Sequence, residues 1–292
     1  MDIGKSKKSQ GAMEYLMTYG WAILIIAIVM VAIFQLHLFD PYTFSPKAST
    51  GSCQVIRPNG PRSNIFVSEI GEDCQTNEIP QYVAQFNGQT SKIVIQHLGN
   101  VNPPITFVAW ILPESTNIET VVVYSNSSCG GDIYGIAVGS YGAHELDAIT
   151  GCPAPTGSDL SLKSGQWYFV AATINSNKET FYLDNQNDSN TVATTTNSLP
   201  TFNLSIGSGY LAANNYFNGY ISNIQIYNTT LSANEINAIY NEGIGGAPLD
   251  ISNLAGWWPL NGNANDYSGN NENGNSIAVN FISNWENGYT AP

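Results

Sequence analysis

Charge is scarce in this chain. Only 11% of its 292 residues are Asp, Glu, Lys or Arg, under half the roughly 25% usual in soluble domains. Basic residues are scarcest: 9 Lys and Arg stand against 22 Asp and Glu, a net charge of −13. Nucleic acid and anionic headgroups need a dense basic surface, so neither is expected as the main partner. Histidine is rare, with His37, His97 and His144 scattered singly, and the four cysteines include no Cys-x-x-Cys pair. A zinc site therefore has no obvious ligand set. No unit repeats at a fixed period, and strands do not alternate with helices, which argues against solenoids and parallel α/β folds. Polarity comes instead from 34 Asn and 27 Gly, with abundant Ser and Thr. At 43% hydrophobic and 11% aromatic, the chain can still build a core, which disfavours disorder. Such a composition suits an extracellular, loop-rich, all-β protein.

The amino terminus has a different character. Lys5, Lys7 and Lys8 precede an uncharged run from Trp21 to Phe34, WAILIIAIVMVAIF. Leu16 to Phe39 would make a helix of roughly 36 Å, enough to cross a hydrocarbon core of about 30 Å. Lysines before it and none just after predict the amino terminus inside and the acidic bulk outside. No small-residue cleavage site follows the run, as a secretory signal would require. Before it stands Lys7-Lys8-Ser9-Gln10-Gly11-Ala12-Met13-Glu14-Tyr15. A carboxylate beside an apolar helix is costly unless paired. Cleavage between Ser9 and Gln10 would create an amine that Glu14 of a neighbouring copy could neutralise, a head-to-tail contact that builds an open filament.

This block resembles the class III signal peptide of archaeal type IV pilin-like proteins. The resemblance covers about residues 5 to 39. It implies leader cleavage at Ser9/Gln10 by a prepilin peptidase, Glu14 as assembly carboxylate with Tyr15 beside it, and an assembly platform as partner. The competing reading is a plain signal-anchor with Glu14 at the cytoplasmic face.

Asp40-Pro41 stops the helix. The sequence then divides into a cleaved leader at 1–9, a hydrophobic helix at 10–39, a stem with a small hairpin at 40–74, and a head at 75–292. Within the stem, Gln54–Ile56 and Asn64–Ser68 flank an Asn59-Gly60-Pro61 turn. In the head, short strands recur between polar turns: Tyr82–Phe86, Lys92–Gln96, Ile105–Leu112, Thr120–Tyr124, Ile133–Val138, His144–Ile149, Trp167–Ile174, Thr180–Asp184, Asn190–Thr195, Asn203–Ile206 and Tyr220–Tyr227. Trp167–Ala171 and Tyr220–Tyr227 alternate as half-buried strands do. Ser232 and Glu235 form a capping-box pattern ahead of Ile236, Ile239 and Tyr240, and Gly243 ends that helix. The fold class expected is all-β: two stacked antiparallel sheets around a single core.

The stretch FNGYISNIQIYNTT followed by LSANEINAIYNEG resembles the closing part of a LamG-like jelly roll of the concanavalin A-like superfamily. YVAQFNGQTSKIVI, ITFVAWILPE and GQWYFVAATI resemble its earlier strands. LAGWWPLNGNANDYSGNNENG, Leu254 to Gly274, resembles the opening of such a domain yet lies at the end. The head thus reads as a circularly permuted jelly roll, since neighbouring chain ends make permutation cheap. A second, truncated domain is the alternative, but about 40 residues bury too little core. Leu254–Leu260 should pair antiparallel with Tyr220–Tyr227 or Tyr82–Phe86, with Trp258 in the core and Trp257 toward solvent.

Four cysteines outside the membrane allow three pairings. Sequential bridges, Cys53 with Cys74 and Cys129 with Cys152, are favoured because each brackets a short segment. Sequons occur at Asn126, Asn187, Asn203 and Asn228, in or beside expected turns. Asp266 in the Asn-rich loop is a candidate calcium ligand; otherwise it forms an Asx-type turn with Ser268. Trp257 is the candidate sugar-stacking residue. Glucanase relatives place Glu-x-Asp-x-x-Glu on one strand; here Glu145-Leu146-Asp147 meets Thr150 in the third place, so no catalytic residue is nominated and no cofactor beyond calcium.

The leading reading is a structural subunit of a pilus-like surface filament, a homo-oligomer joined through its helix and displaying a head for adhesion or glycan contact. The second is a membrane-anchored surface lectin that does not polymerise. A tethered glycan hydrolase is the third.

Overall fold

The computed structural model describes residues 19–29, 54–56, 67–69, 80–99, 101–115, 117–125, 133–139, 145–150, 156–191, 202–209 and 215–292. The chain divides into two units, Met1–Lys47 and Ala48–Pro292. In the first, residues 19–29 are helical (α1), and Trp21, Ile23, Ile25, Ile26 and Ile28 are all exposed. The rest of the expected span, with Ser9, Gln10, Glu14 and Tyr15, lies outside the described residues. Among the described residues no helix is long and apolar enough to cross a membrane. The four cysteines and Asn126 also lie outside them.

The second unit opens with an antiparallel pair, β1 (Gln54–Ile56) and β2 (Val67–Glu69), in the register Gln54 opposite Glu69. Two antiparallel sheets follow. Sheet 2 contains β4 (Lys92–Leu98), β6 (Glu119–Ser125), β7 (Tyr134–Val138), β8 (Glu145–Ile149), β9 (Thr156–Ser161), β13 (Phe202–Ile206) and β16 (Asn275–Ile277), in the order β16-β4-β13-β6-β7-β8-β9. Sheet 1 contains β3 (Val83–Asn87), β5 (Ile105–Pro113), β10 (Tyr168–Ile174), β11 (Lys178–Leu183), β12 (Gln186–Thr191), β14 (Asn218–Tyr227), β15 (Leu254–Trp258) and β17 (Asn280–Ile282). Its order is β12-β11-β10-β5-β14-β3-β17, with β15 also paired to β14. Because Val, Ile and aromatic residues alternate along these strands, their inward faces interdigitate. Phe86, Ile95, Phe107, Ile111, Val122, Tyr124, Ile136, Phe181, Phe217 and Trp258 share that core.

The single core expected from the sequence is joined, among the described residues, by a second large apolar layer and by a small cluster of Val123, Ile133, Ala137 and Ile149. The capped helix α2 (Ala233–Asn241) has its expected capping box between Ser232 and Glu235. Its Ile236 and Ile239 pack with Trp110, Trp167, Phe169, Tyr227, Trp257 and Trp285 on the outer face of sheet 1. Strands β5 and β10 are therefore buried along their whole length. The expectation of a half-buried strand at Trp167–Ala171 fails for that reason: alternation marks one covered face, and here both are covered.

The carboxyl-terminal segment completes both sheets. β15 pairs with the second half of β14, Ile224 opposite Trp258, and β3 pairs with the first half, Ile221 opposite Ala84. Both lie along the same side of β14, in line, interrupted where Asn223 adopts φ 49°. β16 joins β4 in sheet 2, and β17 joins β3 in sheet 1. The chain thus crosses between sheets at Ala278, whose carbonyl accepts from Ser91 Oγ at 2.5 Å. At the opposite side, Asn190 of β12 donates to the Gly157 carbonyl of β9 at 2.6 Å.

Candidate functional site

Trp257, the expected sugar-stacking residue, is only 6% exposed. Its Nε1 donates to Asn223 Oδ1 at 2.8 Å, and its ring meets Tyr267 edge-on at 6.1 Å. The expectation of a solvent-facing Trp257 is corrected by the second layer, which covers the face opposite the sandwich core. Asn223 and Gln225 both donate to the Gly246 carbonyl, and Tyr227 donates to Gln225 Oε1 at 2.6 Å. This is a buried polar network, and a satisfied one anchors its surroundings. Burial pushes the Tyr227 phenol well up. Trp258 is fully buried, as expected, and its Nε1 donates to the Glu272 carbonyl.

The Asp266 carboxylate accepts from Trp257 N, Ser268 N, Ser268 Oγ and Glu272 N, all within 3.0 Å. Those are the contacts of a loop staple, the Asx-type arrangement weighed against calcium. Among the described residues no group of three or more His, Cys, Asp or Glu is placed to hold a metal ion. Glu145 is half-buried and Asp147 fully buried on β8. Three sequon asparagines, Asn187, Asn203 and Asn228, are exposed. Asn187 and Asn203 stand within strands β12 and β13 instead of at turns.

On the outer face of sheet 1, Gln85, Tyr220 and Tyr240 are half-buried and Asn280 is exposed. Asn280 of β17 stands opposite Gln85 of β3, which stands opposite Tyr220 of β14. Directly opposed residues share a face, so the three form one lateral row. Gln85 Nε2 donates to Tyr220 Oη at 3.3 Å, and Trp167 lies 6.3 Å behind the Tyr220 ring. Farther along, Tyr240 of α2 stacks on Trp110 at 6.0 Å and 19°. Burial raises the Tyr240 phenol, with the Asp184 charge adding to it. Burial also raises Asp184, countered by a hydrogen bond from Phe169 N. The row offers neutral donors and acceptors beside an aromatic ring, a combination that can bind hydroxyls and stack on an apolar ring face. Sequence reading missed it because Tyr220, Gln85 and Asn280 lie far apart in the chain; only strand register joins them.

A two-sheet antiparallel sandwich with one capped helix laid on it defines a jelly-roll protein. The chain belongs to the concanavalin A-like lectin/glucanases superfamily, whose sequence profile matches residues 87–237. A search of curated proteins finds no match. Among solved structures it is similar to a native heptameric SAP-like pentraxin from Limulus polyphemus: 13% identity, TM-score 0.52, covering 70% of this chain and 97% of that one. It is also similar to a protein from Bacteroides ovatus ATCC 8483 named as a candidate carbohydrate-binding protein, with 16% identity, TM-score 0.50, and coverage of 75% of this chain and 62% of that one. At these identities the likeness is one of fold.

Proposed function

We propose that this chain is a non-enzymatic, surface-displayed glycan-binding protein: a jelly-roll head carried outside the cell on an apolar amino-terminal helix. The observation that carries the reading is the Asn280–Gln85–Tyr220 row on a lectin-superfamily sandwich. Its groups are uncharged, which suits neutral sugars on an acidic protein. We read residues 254–292 as the fold's opening strands supplied last. The test is binding of the full-length chain to a panel of immobilised neutral glycans. Tyr220→Ala should weaken capture at least tenfold while leaving the melting temperature within a few degrees. Capture indifferent to that change, or none at all, overturns the assignment.

A second reading, assembly into a pilus-like filament, is favoured by one feature of the sequence: Lys7, Lys8, Ser9, Gln10, Glu14 and Tyr15 stand in the order that leader processing and helix pairing need. The two readings share a tethered head and differ in whether the helix ends in lipid or in a bundle.

A further inference from the structure

We propose that Asn287 is a site of spontaneous deamidation, a chemical timer set in the segment that straps down the second apolar layer. The reaction asks only for an unguarded Asn-Gly pair and water. The Gly nitrogen attacks the Asn side-chain carbonyl carbon, the new C–N bond closes a succinimide, and ammonia leaves carrying the nitrogen's proton. Water then opens the ring at either carbonyl, giving aspartate or isoaspartate. Glycine permits the approach because it carries no Cβ.

Asn-Gly occurs six times in the chain, and Asn59-Gly60 lies outside the described residues. Four of the other five pairs are held in place. Asn87 Oδ1 accepts from Gln89 N, Thr90 N and Ser91 N, and Gly88 N donates to the Phe217 carbonyl. Asn218 and Gly219 are fixed in β14, opposite Asn87 and Phe86 of β3, with Gly219 also opposite Pro113 of β5. Asn261 Oδ1 accepts from Tyr82 N at 2.8 Å. Asn273 Oδ1 accepts from Asp266 N at 2.9 Å, and Gly274 N donates to the Ala264 carbonyl at 2.8 Å.

Asn287-Gly288 is different. Both residues are exposed, and among the described residues neither the Asn287 amide nor the Gly288 N–H enters a hydrogen bond. They are the middle pair of a turn that Tyr289 N closes on the Glu286 carbonyl at 3.0 Å. Gly288 has φ 81° there, the conformation for which turns select glycine. Nucleophile and carbonyl carbon thus stand side by side with neither one engaged.

The neighbours give the reaction a consequence. Trp167 donates from Nε1 to the Trp285 carbonyl and from its backbone N to the Gly288 carbonyl, both at 3.2 Å. Ile244 N donates to Tyr289 Oη at 3.2 Å. The Trp285 ring meets Trp167 edge-on, and the Tyr289 ring meets Trp110 in the same way. Asn287 lies inside this run of anchors. Isoaspartate sends the main chain through the former side chain and so adds one backbone carbon between Trp285 and Tyr289. Either product also places a new carboxylate next to Glu286. Anchors spaced for the original chain then no longer fit together, and the strap loosens.

The experiment ages the full-length chain in mildly alkaline buffer and follows each Asn-Gly peptide by mass spectrometry, beside a sample kept unfolded in urea. In the folded chain Asn287 should convert at least tenfold faster than Asn87, Asn218, Asn261 and Asn273. In urea the five should convert at similar rates. Isoaspartate-specific methyl transfer should mark the product at residue 287. Melting temperature should fall in step with the conversion, and Asn287→Gln, whose longer side chain cyclises poorly, should age without that fall. The proposal is overturned if Asn287 stays intact, or if any of the other four keeps pace with it in the folded chain. The same ranking in urea, or a melting temperature unmoved by conversion, overturns it equally.

Discussion

Gly256 sits in the middle of β15, where a Cβ would lie 2.1 Å from the Trp258 ring. That ring is buried and tied by Nε1 to the Glu272 carbonyl, so it has no room to yield. Gly256→Ala should therefore cost about 1–3 kcal/mol, the range for overpacked cores, read as a lower denaturant midpoint at unchanged slope. Acidic residues give a second prediction. Burial raises Glu119 and Glu179 above the ordinary 4.5; Ser115 and Asn218 temper the first, and Thr150 and Thr156 the second. A raised folded-state value means the folded chain holds the proton more tightly. Stability from these groups is fully present below the ordinary value and is lost as pH rises through the raised one. For Asp250, burial works upward, but hydrogen bonds from Ser252 and Asn253 outweigh it and hold it low. Its contribution fades only as pH falls below 3.8. Melting temperature should therefore rise as pH falls from neutrality toward the ordinary carboxylate value of 4.5. Glu119→Gln should flatten that rise, since the Ser115 hydroxyl can turn to accept.

Among the elements, those written locally were legible in the sequence. α2 announces itself through Ser232, Glu235 and Gly243, and its observed bounds, Ala233–Asn241, follow them. β5, β10 and β14 are long apolar runs, and each falls within a residue or two of expectation. β9, with Thr-Gly-Ser-Asp-Leu-Ser, and the three-residue β16 and β17 carry no such signal. They exist because β8, β4 and β3 offer free edges to pair. Trp257 was misjudged from the same cause: a strand pattern does not reveal how many layers will cover it. Pairing of the Leu254–Trp258 strand with β14 was legible because its apolar run needs a covered edge. Removing residues 247–292 should therefore delete β15, β16 and β17 together with Trp258. Loss of one buried Trp costs ~3–5 kcal/mol, comparable with many a domain's stability, so the shortened chain should lose its cooperative melt. A melt unchanged by the deletion would show these strands to be dispensable.

For the whole molecule, the two units invite different measurements. The superfamily profile matches residues 87–237, which lie within the second unit. The tether rests on the reading of its leader. Mass spectrometry of native surface material should find a mature terminus at Gln10, and Glu14→Ala should leave membrane insertion intact while impairing any filament. A terminus at Met1 would favour the plain anchor and leave the head's sugar-binding role standing.

The way β3 is held bears on how the head resists load. Trp285 Nε1 donates to the Pro80 carbonyl at 2.9 Å, just before β3 begins. β3 itself lies between β14 and β17, bonded antiparallel to both. Inter-strand bonds run perpendicular to the strands, so tension drawn along β3 from the stem side strains both ladders at once, in shear. Peeling them open one bond at a time would need a pull across the sheet. The late-coming strand β17 thus doubles the grip on β3, so that load entering the head along this strand is shared between two ladders instead of one.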